Sequence, residues 1–193
     1  MAMLIAGLAL FLGVHSISII SAPWRDRMVA RIGIMPWQGI YSLLSIIGFV
    51  LIINGYGMAR LDALVLYHPP EWLRYVAIFL LIFIFPLLLA TYLPGRIRQV
   101  TKHPMLAATK IWALAHLLAN GSLADVILFG AFLTWAIVNR ISLKRRMPLP
   151  VPDAMTSRFN DVIAVIGGLV LYGIFVLWLH AHLFGVSPLG LAG

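Results

Sequence analysis

Long apolar runs separated by short polar joints make up this chain. Six of them, at about 1–20, 39–59, 72–93, 104–119, 123–139 and 162–183, approach the roughly 20 residues a helix needs to cross a hydrocarbon core. The pattern predicts an all-α polytopic membrane bundle of about six transmembrane helices. The fourth and fifth runs are short and joined only by Asn120-Gly121-Ser122, which predicts a helical hairpin. Pro86 lies inside the third run and predicts a kink there, because it removes a backbone donor. The segment from Met147 to Pro152 carries three prolines and predicts an extended stretch. The predicted organisation is thus a five-span bundle over 1–146, a proline-rich cytoplasmic linker over 147–160, and a final membrane helix with a short tail over 161–193.

Composition agrees with a lipid solvent. Of the 193 residues only 10% are charged, against about 25% in soluble domains, and the mean hydropathy is +1.00. The net charge of +8 reads as an excess of basic residues in inward loops, and the reading excludes nucleic acid as a partner. Arg25, Arg27 and Arg31 follow the first run, and Arg96, Arg98 and Lys102 follow the third. Arg140, Lys144, Arg145, Arg146 and Arg158 follow the fifth. The alternate loops carry Arg60 and Arg74 offset by Asp62 and Glu71. This alternation predicts a multi-pass protein of the bacterial cytoplasmic (inner) membrane with both termini on the periplasmic side. No Lys or Arg precedes Arg25, so the first run reads as a retained span and not a secretory signal. The chain has no cysteine, which excludes thiolate chemistry, iron–sulfur clusters and cysteine-based zinc sites.

Ionisable groups inside the runs are the candidates for chemistry, because a bilayer makes them expensive. Lys110 lies about 10 Å into the fourth run, close enough for its stem to carry the ammonium back to the inner interface or to meet an anionic group. His116 lies too deep for that. It shares one helical stripe with Trp112, Thr109 and Met105. His15 sits in the first run beside Ser16 and Ser18. Each histidine has two readings, a packing residue bonded to a backbone carbonyl or an axial ligand. Two intramembrane histidines on different helices suit the iron of haem b. Ideal helix geometry separates them by about 10 Å in depth, so a shared iron needs helix tilt or an oblique haem plane. His103-Pro104 reads first as a helix start. His68, His180 and His182 read as outer-interface residues. The six carboxylates fall in loops or at helix ends, which leaves no buried acid to pair with a histidine as a base.

The segments "FLGVHS" (Phe11–Ser16), "KHPM" (Lys102–Met105) and "IWALAHLLANG" (Ile111–Gly121) resemble the NnrU family of bacterial membrane proteins. The resemblance covers the chain roughly to Arg146. It implies a role associated with denitrification. It also implies kinship with zeta-carotene isomerase, a membrane enzyme that uses haem b, and His15 and His116 match the histidines assigned to its iron. Ala113 stands where that enzyme has a redox-active cysteine. His103-Pro104 further resembles the S-adenosylmethionine-binding segment of isoprenylcysteine methyltransferases, although the acidic C-terminal motif of that group is absent.

Three functions follow as expectations. The first is a haem b protein with iron held by His15 and His116, with Trp112, Thr109, Met105 and His103 near the cofactor and Lys110 against a propionate. It would take a hydrophobic or small-gas ligand in a redox, isomerase-like or nitrogen-oxide role. The second is a non-catalytic accessory protein for a respiratory or denitrification membrane complex. The third is a membrane methyltransferase using S-adenosylmethionine.

Overall fold

The computed structural model describes residues 1–145 and 157–189. Most of the proline-rich stretch predicted over 147–160 lies outside these residues. The helices are α1 Ala2–Ile32, α2 Ile34–Ala59, α3 Glu71–Leu81, α4 Ile84–Tyr92, α5 Arg96–Thr101, α6 Pro104–Ala119, α7 Leu123–Arg145 and α8 Arg158–Ile174. A π-helical turn, Phe175–Leu179, then leads into α9 His180–Phe184. Five stretches, with α3–α4 and α8–α9 each taken together, are long and apolar enough to cross a membrane, and α6 is a shorter apolar helix at the place of the fourth predicted run. This is a polytopic helical membrane protein. Its large apolar side chains face outward, among them Leu43, Ile46 and Ile53 on α2 and Ile163, Ile166 and Val170 on α8.

The described residues form two compact units. The first contains α1, α2 and α7. Small residues bring α1 and α2 together, because lipid supplies no hydrophobic drive and close backbone approach must supply the attraction, and larger side chains such as Leu4 and Phe129 are buried beside them. Gly7, Gly48 and Gly55 lie along the α1–α2 contact. A Cβ on Gly7 would stand 2.6 Å from the Ile52 nitrogen, one on Gly48 would stand 2.8 Å from the Phe11 nitrogen, and one on Gly55 would overlap the Leu4 backbone. A single residue, Gly33 at φ 87°, joins the two helices. The predicted loop after the first run is instead mostly helix. α1 breaks at Ser21 (φ −154°, ψ 90°), two residues before Pro23, and then continues through the arginines to Ile32. The apolar run ends near residue 20, but a helix outside the bilayer needs no apolar run, so hydropathy marks the membrane exit and not the helix end.

The second unit contains α3–α6 and α8–α9. Pro86 breaks the third run as predicted, and the break falls at Ile82–Phe83. Pro86 has no N–H for the Ile82 carbonyl, and its ring crowds that turn. The amides of Ile82 and Phe83 fall back to tighter bonds with Phe79 and Leu80 carbonyls, both 3.3 Å. That shift leaves the Ile78 carbonyl without its helical donor, and the Tyr172 hydroxyl of α8 donates to it at 2.7 Å. Gly168 lets α8 approach closely, because a Cβ there would overlap Pro86, and Ala164 one turn earlier is fully buried. The predicted loop 94–103 contains the short helix α5. Asp161 accepts hydrogen bonds from the amides of Arg96 (2.8 Å) and Ile97 (3.0 Å) at its start. The Asn160 side-chain amide donates to the Pro94 carbonyl at 2.8 Å. Gly95 is required, since a Cβ would enter the Asp161 carboxylate.

Candidate functional site

His15 sits on α1 within a box of aromatic rings drawn from three helices of the first unit. Phe11, one turn earlier, stacks on it with centroids 4.2 Å apart. Tyr41 of α2 lies 5.2 Å away, and Trp135 of α7 meets it edge-on at 6.1 Å. The Nδ1 of His15 lies 2.7 Å from the Phe11 carbonyl oxygen. A carbonyl only accepts, so Nδ1 carries the proton and Nε2 carries the lone pair. A packing histidine and a metal-ready histidine share this feature. What distinguishes His15 is that its Nε2 has no hydrogen-bond partner among the described residues.

His116 repeats the arrangement on α6 in the second unit. Its Nδ1 donates to the Trp112 carbonyl at 2.8 Å, and the Trp112 ring lies 5.4 Å away. The predicted stripe of Met105, Thr109, Trp112 and His116 is therefore present on one helix. Thr109 spends its hydroxyl on the Met105 carbonyl at 2.9 Å, and Met105 is largely exposed. Lys110 is partly exposed and makes no hydrogen bond or ion pair, as fits a side chain that reaches for an interface. His103 starts α6: its carbonyl accepts the Ala107 amide at 3.1 Å, and Pro104 is the first helical residue. The preceding Lys102 takes φ 61°, which turns the chain between α5 and α6. Of the outer histidines, His68 is exposed, His180 donates from Nδ1 to the Val186 carbonyl at 2.7 Å, and His182 stacks on Trp178.

Among the described residues no three His, Asp or Glu side chains gather as a metal centre would require.

Two features of the first unit escape sequence reading. The first is Asp125, read from the sequence only as a charge at a helix end. It is 8% exposed and accepts from the Tyr56 hydroxyl at 2.6 Å, the Ser122 hydroxyl at 2.6 Å and the Ser122 amide at 3.1 Å. Its own amide donates to the Ser122 hydroxyl at 3.2 Å, which closes a capping box at the start of α7. The loop before α3 is pinned to the same place. The Leu66 amide donates to the Gly121 carbonyl and the Leu123 amide to the Leu64 carbonyl, both at 2.8 Å. The Tyr67 hydroxyl donates to the Asn120 carbonyl at 2.7 Å. Partial burial, and after it the charge of Asp125, raise the Tyr67 phenol above its ordinary 10.0, so it stays a donor. The second feature is a groove of about 610 Å³ between α1 and α7, with Trp135 in its wall.

No curated protein and no solved structure matches this chain. The family model described as NnrU protein matches residues 3–188, nearly the whole length, and the chain belongs to the NnrU family.

Proposed function

We propose that this NnrU-family membrane protein binds haem b, with His15 and His116 as the candidate axial ligands. The observation that carries the reading is the His15 Nε2, left without a hydrogen-bond partner among the described residues, on a ring whose Nδ1–H bond to the carbonyl one turn earlier recurs between His116 and Trp112. Such a bond fixes the ligating tautomer and orients the ring, as supporting bonds do at known metal sites. The Phe11, Tyr41 and Trp135 rings around His15 offer the apolar, flat-walled surroundings that suit a macrocycle. Trp112 plays the same part beside His116, while Met105, Thr109 and His103 lie along or below it on α6. Lys110 would neutralise a propionate with a charge-assisted bond. The distribution of basic segments supports an inward position for this end of α6, in the cytoplasmic membrane of a bacterium with both termini outside. When bound, the group supplies one-electron redox or gas-ligand chemistry, in keeping with a nitrogen-oxide-linked or isomerase-like role.

The test is an absorption spectrum of the protein in detergent, oxidised and dithionite-reduced, with a pyridine haemochrome assay. A stoichiometric Soret band is expected, lost or shifted in His15→Ala and in His116→Ala. A colourless protein after expression with ample haem supply would overturn the reading. So would spectra that neither substitution changes, and an accessory role without chemistry would then stand first.

A further inference from the structure

The groove between α1 and α7 is open along one side. Leu12, Ser16, Ile127, Gly130, Thr134 and Trp135 line it. A second cavity of about 440 Å³ shares Ile19 and Val138 with it and continues to Ser142 and Arg145. On α7 the lining residues recur every three or four positions, so one face of the helix forms the wall throughout. His15 is not in that wall, although the Trp135 ring that touches it is.

Three donors in this groove lack acceptors. The Trp135 Nε1–H is the one buried side-chain polar atom without a partner among the described residues. The hydroxyls of Ser16 and Thr134 make no hydrogen bond either, although helical hydroxyls in an apolar medium ordinarily turn back to a carbonyl. In hydrocarbon no water supplies the missing acceptor, so the groove asks for a ligand that does.

Depth selects the ligand. Arg145, exposed at the end of α7 next to Lys144, marks an interface. Trp135 stands ten residues earlier, about 15 Å at 1.5 Å per residue, which is half of a roughly 30 Å hydrocarbon core. The ester carbonyls of a phospholipid lie at the interface, and its acyl chain offers no acceptor at mid-depth. A polyene hydrocarbon offers none anywhere. A quinone carries carbonyl acceptors on a flat ring, dissolves in the bilayer interior, and trails an apolar tail. We propose that the α1–α7 groove binds a membrane quinone, with a ring carbonyl at Trp135, Ser16 and Thr134 and the isoprenoid tail along Ile19 and Val138. Nε1 is closed off in this structure, so its bond forms as the indole turns from the wall toward the ligand, while the two hydroxyls stand ready beside it.

The site shares the Trp135 indole with the haem reading, and one set of samples tests the two separately. Full-length protein in detergent is titrated with ubiquinone-1 by calorimetry, and the Soret band of the same samples reports haem. Saturable one-to-one binding is expected. Gly130→Phe should abolish it, because a Cβ on Gly130 meets nothing within 4 Å and the new ring enters the groove without displacing the fold. Trp135→Phe should weaken it about tenfold. Gly13→Phe, at a glycine equally open but outside the groove, should leave it unchanged. Absence of saturable binding, or equal binding by Gly130→Phe, would overturn the assignment. Equal competition by squalene, which has no carbonyl, would make the groove a simple lipid slot. Loss of the Soret band together with quinone binding in Gly130→Phe would make it part of the haem pocket instead.

Discussion

The bond between Tyr56 and Asp125 ties α2 to the start of α7, and its strength can be measured without knowing the function. Asp125 accepts three hydrogen bonds on its side chain, from the Tyr56 hydroxyl and from the hydroxyl and amide of Ser122. The Tyr56 hydroxyl meets it at 2.6 Å, and the carboxylate is 8% exposed. A hydrogen bond to a charged group contributes about 1.5–3 kcal/mol, and the helix cap that Asp125 completes with Ser122 adds about 1 kcal/mol. Asp125→Ala is therefore expected to cost about 3 kcal/mol and Tyr56→Phe about 2 kcal/mol. The double variant should lose much less than their sum, with a coupling energy of about 2 kcal/mol. Reversible unfolding in mixed micelles with increasing dodecyl sulfate reads all four proteins. A coupling below about 0.5 kcal/mol would refute the reasoning, because it would mean that the carboxylate stabilises α7 through Ser122 alone and that Tyr56 is a bystander.

Two further substitutions separate close packing from open surface. Gly55→Ala drives a methyl into the Leu4 backbone and should cost about 1–3 kcal/mol in the same unfolding assay. Gly57→Ala, two residues on and with nothing within 4 Å, should be neutral or stabilise by up to about 1 kcal/mol. In the second unit, Asp161→Ala removes both acceptors of the Arg96 and Ile97 amides. It should speed tryptic cleavage at Arg96 and Arg98, and unchanged cleavage would show that α5 holds without its cap.

The helices were legible because lipid imposes a coarse rule on sequence, whereas the site was not, because it depends on neighbours. Runs of apolar residues located the five long apolar stretches and the shorter α6 among the described residues, and Pro86 announced a break that its missing N–H then placed one turn earlier. The ends were harder. The arginines after residue 20 hid twelve more residues of α1, because α-helix propensity survives where hydropathy stops. The Ser122-x-x-Asp125 spacing was readable as a capping box. Its charge drew attention to the interface instead, and nothing in the spacing could reveal Tyr56, which lies 69 residues earlier. The same limit governs His15. Its Phe11 partner follows from helical periodicity, one turn back on the same face. Tyr41 and Trp135 arrive from other helices, and they turn a lone intramembrane histidine into a walled one. Trp135 carries the argument furthest. An indole in a membrane helix is unremarkable in sequence, and only the packing around α7 leaves its N–H buried without an acceptor while its ring lines a groove. A polar group that the fold buries and declines to satisfy is informative in lipid, where water cannot repair the omission. The acceptor must then come from the fold's own motion or from a ligand, and the Gly130→Phe titration separates the two.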